Sequence, residues 1–307
     1  MNIGTTLTII LGLALFEIVS SIDNAVINAE VLATMRPKSR RWFLLWGLLI
    51  AVVLVRGLLP ALIVWFATPG FSLFNALTAT AQSSPAVLFA LGAAAPTLLI
   101  SGGTFLVLLF THWLFLEEKS FGLRHERFFH RHGVWFYAIA SLALAGIVHA
   151  ALGVSSLMAF GAVVGSTAFF ITHGFKQSAE LAEEKLVDGS RSNQSDLAKL
   201  LYLEVIDTTF SIDGVLGAFA FTLSVPLILL GNGIGALVVR KLTVSNIERI
   251  KQLKYLKNGA MYSILGLGCV MLAQSFGAKL PEWISPIITV VTVGFFYWKS
   301  VRTASLK

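Results

Sequence analysis

A carboxylate inside hydrocarbon costs at least a few kcal/mol and usually faces a cavity or a partner charge, yet this chain sets acids repeatedly within apolar stretches. Residues 201–221, LYLEVIDTTFSIDGVLGAFAF, carry Glu204, Asp207 and Asp213. Residues 13–32, LALFEIVSSIDNAVINAEVL, carry Glu17 and Asp23 in a similar background. A helix needs roughly 20 residues to cross a bilayer. Apolar stretches near or above that length lie at about 3–34, 42–66, 86–115, 134–150, 154–175, 200–222, 225–240, 259–276 and 283–300. The expected fold is therefore all-α, a polytopic membrane protein of about nine transmembrane helices.

Composition agrees. Of 307 residues, 56% are hydrophobic and only 13% charged, against about 25% charged in a soluble domain, and the mean hydropathy is +0.80. A cleaved signal peptide is not expected, because the N-terminus has no basic region or small-residue cleavage site and Glu17 interrupts its apolar run. The single cysteine, Cys269, excludes an internal disulfide framework and a thiolate cluster. Its expected role is packing between helices.

The net charge of +7 would raise nucleic acid as a partner, but the placement of the charges explains it otherwise. Basic residues fill alternate connections: Arg36, Lys38, Arg40 and Arg41; Lys119, Arg124, Arg127 and Arg131; Lys176, Lys185, Arg191 and Lys199; Arg240, Lys241, Arg249, Lys251, Lys254 and Lys257; and Lys299, Arg302 and Lys307 in the tail. The intervening connections hold Lys279 alone, and Arg56 lies within a span. Basic loops remain on the cytoplasmic side. The expected orientation has the N-terminus outside and the C-terminus cytoplasmic. The lipid bilayer is then the partner of the basic surface, and nucleic acid is not. The loops at 116–133 and 176–199 mix Glu117, Glu118, Glu183 and Glu184 with their basic residues and read as solvated faces.

The two acidic stretches repeat one pattern. EIVSSID at 17–23 aligns with DTTFSID at 207–213, and the next spans echo each other in GLLIAVVLVR, ending at Arg56, and GNGIGALVVR, ending at Arg240. With the first span running inward and the sixth outward, the halves are inverted, an arrangement in which transporters place a site near the midplane. Residues 1–115 then form the first repeat with spans one to three, and 116–199 the charged loops with linking spans four and five. Residues 200–276 form the second repeat with spans six to eight, and 277–307 the last span and tail.

On an ideal helix Glu204 and Asp207 share a face, as do Glu17 with Ser21 and Asp207 with Ser211. Asp23 and Asp213 each follow their partner acid by six residues, about 120° around the helix. Either the helix breaks at the Ser-Ile-Asp or these aspartates face another neighbour. Asn24 and Gly214, next in sequence, favour a break.

Glu17, Asp23, Asn24, Glu204, Asp207 and Asp213 are the candidate metal ligands, supported by Ser21, Ser211, Arg56 and Arg240. They offer oxygen only, which suits hard cations rather than zinc or copper, and Mg²⁺ rarely accepts an all-protein cage. Between Mn²⁺ and Ca²⁺ the spacing makes no choice. Carboxylates in excess of the metal's charge raise at least one pKa, so exchange of the metal for protons follows. His149 is a secondary candidate for moving the proton, Asn28 and Glu30 for an exit path, and Asn232 for a contact with the site, whereas His173 lies at a cytoplasmic helix end where polarity costs little.

FEIVSSIDNAVI and YLEVIDTTFSIDGVLGAFAFT resemble the two signature segments of the TerC family of integral membrane proteins, and YLKNGAMYSILGLGCVML its third. The resemblance implies a bacterial inner (cytoplasmic) membrane protein of the LysE-like transporter group that exports Mn²⁺ as a transported ion rather than a cofactor. It also implies links to tellurite resistance and to metal supply for secreted proteins. The second motif departs from the family, ending Ser-Ile-Asp-Gly-Val where better-known exporters have Asp-Ser followed by Ile-Pro, which marks a divergent branch. The expected function is thus export of a divalent cation, Mn²⁺ by the resemblance, through proton exchange, and no enzyme activity. The alternatives are an intramembrane aspartyl-type enzyme using Asp23 and Asp213, for which the Gly-x-Gly-Asp segment is missing, and a non-transporting partner of the secretion machinery.

Overall fold

The computed structural model describes residues 2–47, 58, 65, 72, 74, 75, 85–118, 122–187, 195–245 and 253–304. These residues are helical throughout, with no strand among them. The helices are α1 (Ile3–Ser20), α2 (Ile22–Ala33), α3 (Pro37–Trp42), α4 (Pro85–Leu116), α5 (Arg124–Arg131), α6 (Phe136–Leu152), α7 (Ser156–Val187), α8 (Asp196–Ala218), α9 (Val225–Ser245), α10 (Leu256–Ser275) and α11 (Ile284–Ala304). α3 runs into a π-helical turn, Phe43–Gly47.

Local chemistry sets several boundaries. Asn2 caps α1, its side chain accepting from the Gly4 and Thr5 amides at 2.6 and 3.3 Å, and Ser195 caps α8 through the Ala198 amide. α10 ends in a Schellman turn. Gly277 takes φ +90 while its amide reaches Gln274 O and the Ala278 amide reaches Ala273 O, both at 3.0 Å, a geometry that favours glycine.

Among the described residues seven helices are long and apolar enough to cross a membrane: Ile3–Ser20, Ala94–Leu116, Gly133–Leu152, Ser156–Ser178, Val225–Leu242, Leu256–Ser275 and Ile284–Thr303. This corrects the count of nine. The span expected at 42–66 lies largely outside the described residues. The one expected at 200–222 is present as α8, but Asp196, Lys199, Glu204, Asp207 and Asp213 take it out of the apolar class. Burial follows the same logic. Leu142, Phe160, Phe175 and Val291 are each more than half exposed, as expected of side chains turned to lipid rather than to water.

The core is built around α4, which packs against α7 and α10. Phe105, Leu106, Phe169, Val215, Leu267 and Met271 meet there, with the Phe105 and Phe169 rings edge to face at 6.1 Å. α4 and α10 approach closely at reciprocal glycines. A Cβ on Gly103 would lie 3.1 Å from Gly268 O, and one on Gly268 would lie 3.3 Å from Gly103 O. Small residues of this kind let membrane helices approach backbone to backbone. A second close pairing joins α1 and α9, where a Cβ on Gly235 would lie 2.5 Å from Glu17 Cβ and 2.7 Å from Ala14 O.

The polar end of α8 is tied to α3. Asp196 accepts from the Ser39 hydroxyl at 2.6 Å and from the Arg36 amide at 3.3 Å. The Ser39 bond, helped by that amide and the nearby basic side chains, holds the Asp196 carboxyl below the usual carboxylate range.

Candidate functional site

The two Ser-Ile-Asp segments fold differently. In the first, the helix breaks for one residue: Ser21 has φ −92 and ψ 6 between α1 and α2. Backbone bonding continues across it, from the Ser21 amide to Glu17 O and from the Ala25 amide to Ser21 O, so the chain bends without parting. The Ser21 hydroxyl donates to Glu17 Oε1 at 2.6 Å. In the second, α8 runs unbroken through Ser211, Ile212 and Asp213. Here the Ser211 hydroxyl donates to the backbone carbonyl of Asp207 at 2.7 Å, leaving that carboxylate to other partners.

Those partners come from two helices. Asn24 and Asn28, four apart on α2, both donate to Asp207 Oδ1 at 2.7 Å. Arg240 of α9 sets Nη2 3.7 Å from Asp207 Oδ2, with its guanidinium 4.3 Å over the Phe43 ring. Asp207 is 6% exposed. A carboxylate so buried needs this compensation, since one bare oxygen would carry most of the desolvation cost.

Asp213 turns to another side of α8. It forms an ion pair with Lys176 of α7, while its Oδ1 has no hydrogen-bond partner among the described residues. Beside this pair, the His173 ring lies parallel to Phe169, and the His112 ring of α4 is 3.8 Å from His173 centroid to centroid. Sequence reading assigns Lys176 to a loop. In the structure α7 continues to Val187 and carries Lys176 into the bundle. The signal was available: nothing in ITHGFKQSAE, neither Pro nor a turn cluster, stops the helix.

Glu17 is fully buried where α1 meets α8 and α9. A Cβ on Gly214 would lie 3.0 Å from its Oε2. Glu204, one turn before Asp207, sits against Gly47, and a Cβ there would also be 3.1 Å from Arg240 Nη2. Neither Glu204 oxygen has a hydrogen-bond partner among the described residues. Gly47 thus marks a point where Glu204 and Arg240 converge.

Asp23 lies on α2, but its side chain is outside the described residues, as is the whole of Arg56. Asn232 is fully buried on α9, whereas Glu30 and His149 are exposed. Among the described residues no three His, Cys, Asp or Glu side chains stand close enough together to hold a metal ion. Glu17, Asp207 and Asp213 are distributed across the contacts of α1, α2, α7, α8 and α9, each with different neighbours. A further buried acid falls in a stretch that the sequence presents as a solvated loop. Glu126 of α5 is fully buried, accepting from Asn258 Nδ2 at 2.7 Å.

No curated protein and no solved structure matches the chain. The resemblance to the TerC family read from the paired motifs is overturned by a different match: the family model that fits, over residues 22–306, is that of the protein of unknown function DUF475, and the chain belongs to that family.

Proposed function

We propose that the protein is a membrane transporter that moves a hard divalent cation, Mn²⁺ or Ca²⁺, in exchange for protons. The observation that carries this reading is Asp207, a buried carboxylate held between the Asn24 and Asn28 amides of α2 and the Arg240 guanidinium of α9. Such a group is costly in a membrane and has no purely structural necessity, since an apolar side chain would pack there at lower cost.

Asp207 and Asp213 are each balanced by a tethered cation, Arg240 and Lys176. A cation entering from solution competes with these side chains for the same oxygens. When Arg240 withdraws, the Asp207 carboxylate and the amide oxygens of Asn24 and Asn28 become an oxygen donor set for a hard ion, and withdrawal of Lys176 frees Asp213 on another side of α8. When they return, the ion is expelled. Glu204, beside Arg240 and one turn from Asp207, is the residue proposed to take the proton. The reciprocal approach of Gly103 and Gly268 supports an inverted repeat, because residues near a twofold axis contact one another symmetrically.

The test is flux of divalent ions into proteoliposomes holding the purified protein, with and without a pH gradient. Flux of Mn²⁺ or Ca²⁺ driven by the gradient is expected in the parent, and Asp207→Asn should abolish it while the protein remains inserted and folded. Failure of every divalent ion to move, or Asp207→Asn transporting at the parent rate, overturns the reading.

A further inference from the structure

We propose that α5 carries a binding site for a phosphoryl group, presented by the headgroup of an anionic phospholipid. Arg124, Arg127, Arg131 and Phe128 line a recess of about 330 Å³, at the small end of the roughly 300–1,000 Å³ range of ligand sites. Three arginines at positions i, i+3 and i+7 share one face of the helix, where their mutual repulsion is unfavourable unless an anion lies between them. Among the described residues none of the three forms an ion pair with a carboxylate.

The rest of α5 is fixed to the bundle. Buried Glu126 accepts from Asn258 of α10 at 2.7 Å and from the Leu123 amide at 2.7 Å. His125 Nε2 lies 2.5 Å from the Tyr262 hydroxyl, and the Phe129 ring packs 5.2 Å from Phe115. The arginine face is therefore presented from a docked helix, which lowers the cost of ordering it around a ligand.

Its level in the bundle identifies the source of the phosphoryl group. α5 joins the end of α4 to a segment whose Val134, Trp135 and Tyr137 are 84%, 59% and 64% exposed. Apolar and aromatic side chains exposed beside a basic helix mark the headgroup layer, where basic pockets take anionic lipids. Guanidinium groups bind phosphate through paired N–H bonds that ammonium groups cannot reproduce. Phe128, 57% exposed, offers its ring to the glycerol end of the lipid.

Binding of phosphatidylglycerol and phosphatidylcholine to the full chain in detergent, read by native mass spectrometry, tests this. The parent should retain phosphatidylglycerol and not phosphatidylcholine. A variant with Arg124, Arg127 and Arg131 all changed to Gln should lose that retention by about a hundredfold, as expected at roughly 1 kcal/mol per charge. With all three changed to Lys, net charge is kept and the paired geometry lost, and retention should still fall about tenfold. Inorganic phosphate separates the sources: a lipid site is displaced only weakly at millimolar concentration. Full displacement there, with the same dependence on the arginines, would leave a phosphoryl site but assign it to a soluble ligand, overturning the lipid source. Parent-like retention in the Lys variant, or equal retention of both lipids, would overturn the site itself.

Discussion

Lys176 and Asp213 form a largely buried pair, their side chains 13% and 11% exposed, and removing one member leaves an uncompensated charge. Such a loss costs roughly 3–5 kcal/mol, whereas replacing both partners is often near neutral. Lys176→Met should therefore destabilise the folded protein by about 3 kcal/mol. Adding Asp213→Asn should recover more than half of that loss, as read by unfolding in mixed detergent. A double variant no better than Lys176→Met would mean that Lys176 acts through packing alone. Sequence reading reached Asp213 but not its partner, because six-residue spacing gives the direction of a side chain and not the helix it meets. Asp207 shows the converse. Its acid was legible as a cost without a reason, and Asn28 lay in view as a lesser candidate, yet the convergence of α2 and α9 on one oxygen pair depends on tertiary packing. Glu126 escaped because a charged loop reads as solvated whenever its buried partner, here Asn258, lies far away in sequence.

For the elements, the apolar stretches gave the helices and the acids gave the exceptions. The bend at Ser21 and the straight passage through Ser211 show why a shared motif does not fix local geometry. The Ser21 hydroxyl goes to a side-chain carboxylate and Ser211's to a backbone carbonyl, a choice set by neighbouring helices and not by Ser-Ile-Asp. Contact between α4 and α10 is more predictable, because glycine leaves no alternative partner at Gly103 and Gly268. Gly268→Val should press against Leu106, Val107 and the Gly103 carbonyl and cost about 1–3 kcal/mol, measurable as a lower midpoint in thermal unfolding in detergent. An unchanged midpoint would show that the two helices part freely. The tie between α3 and α8 carries a pH dependence. Asp196, held below the usual carboxylate range by Ser39, contributes its full effect above that range and loses it as pH falls through the lowered value. Asp196→Asn should flatten the acid limb of the unfolding profile, and a limb identical to the parent's would assign the acid sensitivity elsewhere.

At the scale of the whole molecule, the direction of each helix follows from contacts already described. A Cβ on Gly161 of α7 would lie 2.9 Å from Thr97 O, and four residues on Gly165 meets Ser101. α4 and α7 therefore run parallel, with α6 returning between them. The Ser285 hydroxyl at the start of α11 donates to Ala220 O after α8, which joins the connection at 219–224 to the one at 276–283. The ends therefore separate into two groups. One holds 153–155, 219–224 and 276–283, where Lys279 is the one basic residue; the other holds 117–118, 122–135 and 253–255, with α5 and its arginines. If basic loops are retained on the cytoplasmic side, the two groups must lie across the membrane from one another. With Cys269 replaced by Ser, single cysteines at Ser155, Thr222 and Lys279 should react with an impermeant thiol reagent added to intact cells. Cysteines at Arg127 and Tyr255 should react only after the membrane is permeabilised. Labelling of position 222 from the inside while 155 and 279 still label from the outside would set α8 in the same direction as α1. The acids of α1 and α8 would then lie in parallel segments, and the opposed halves on which alternating access depends would be lost.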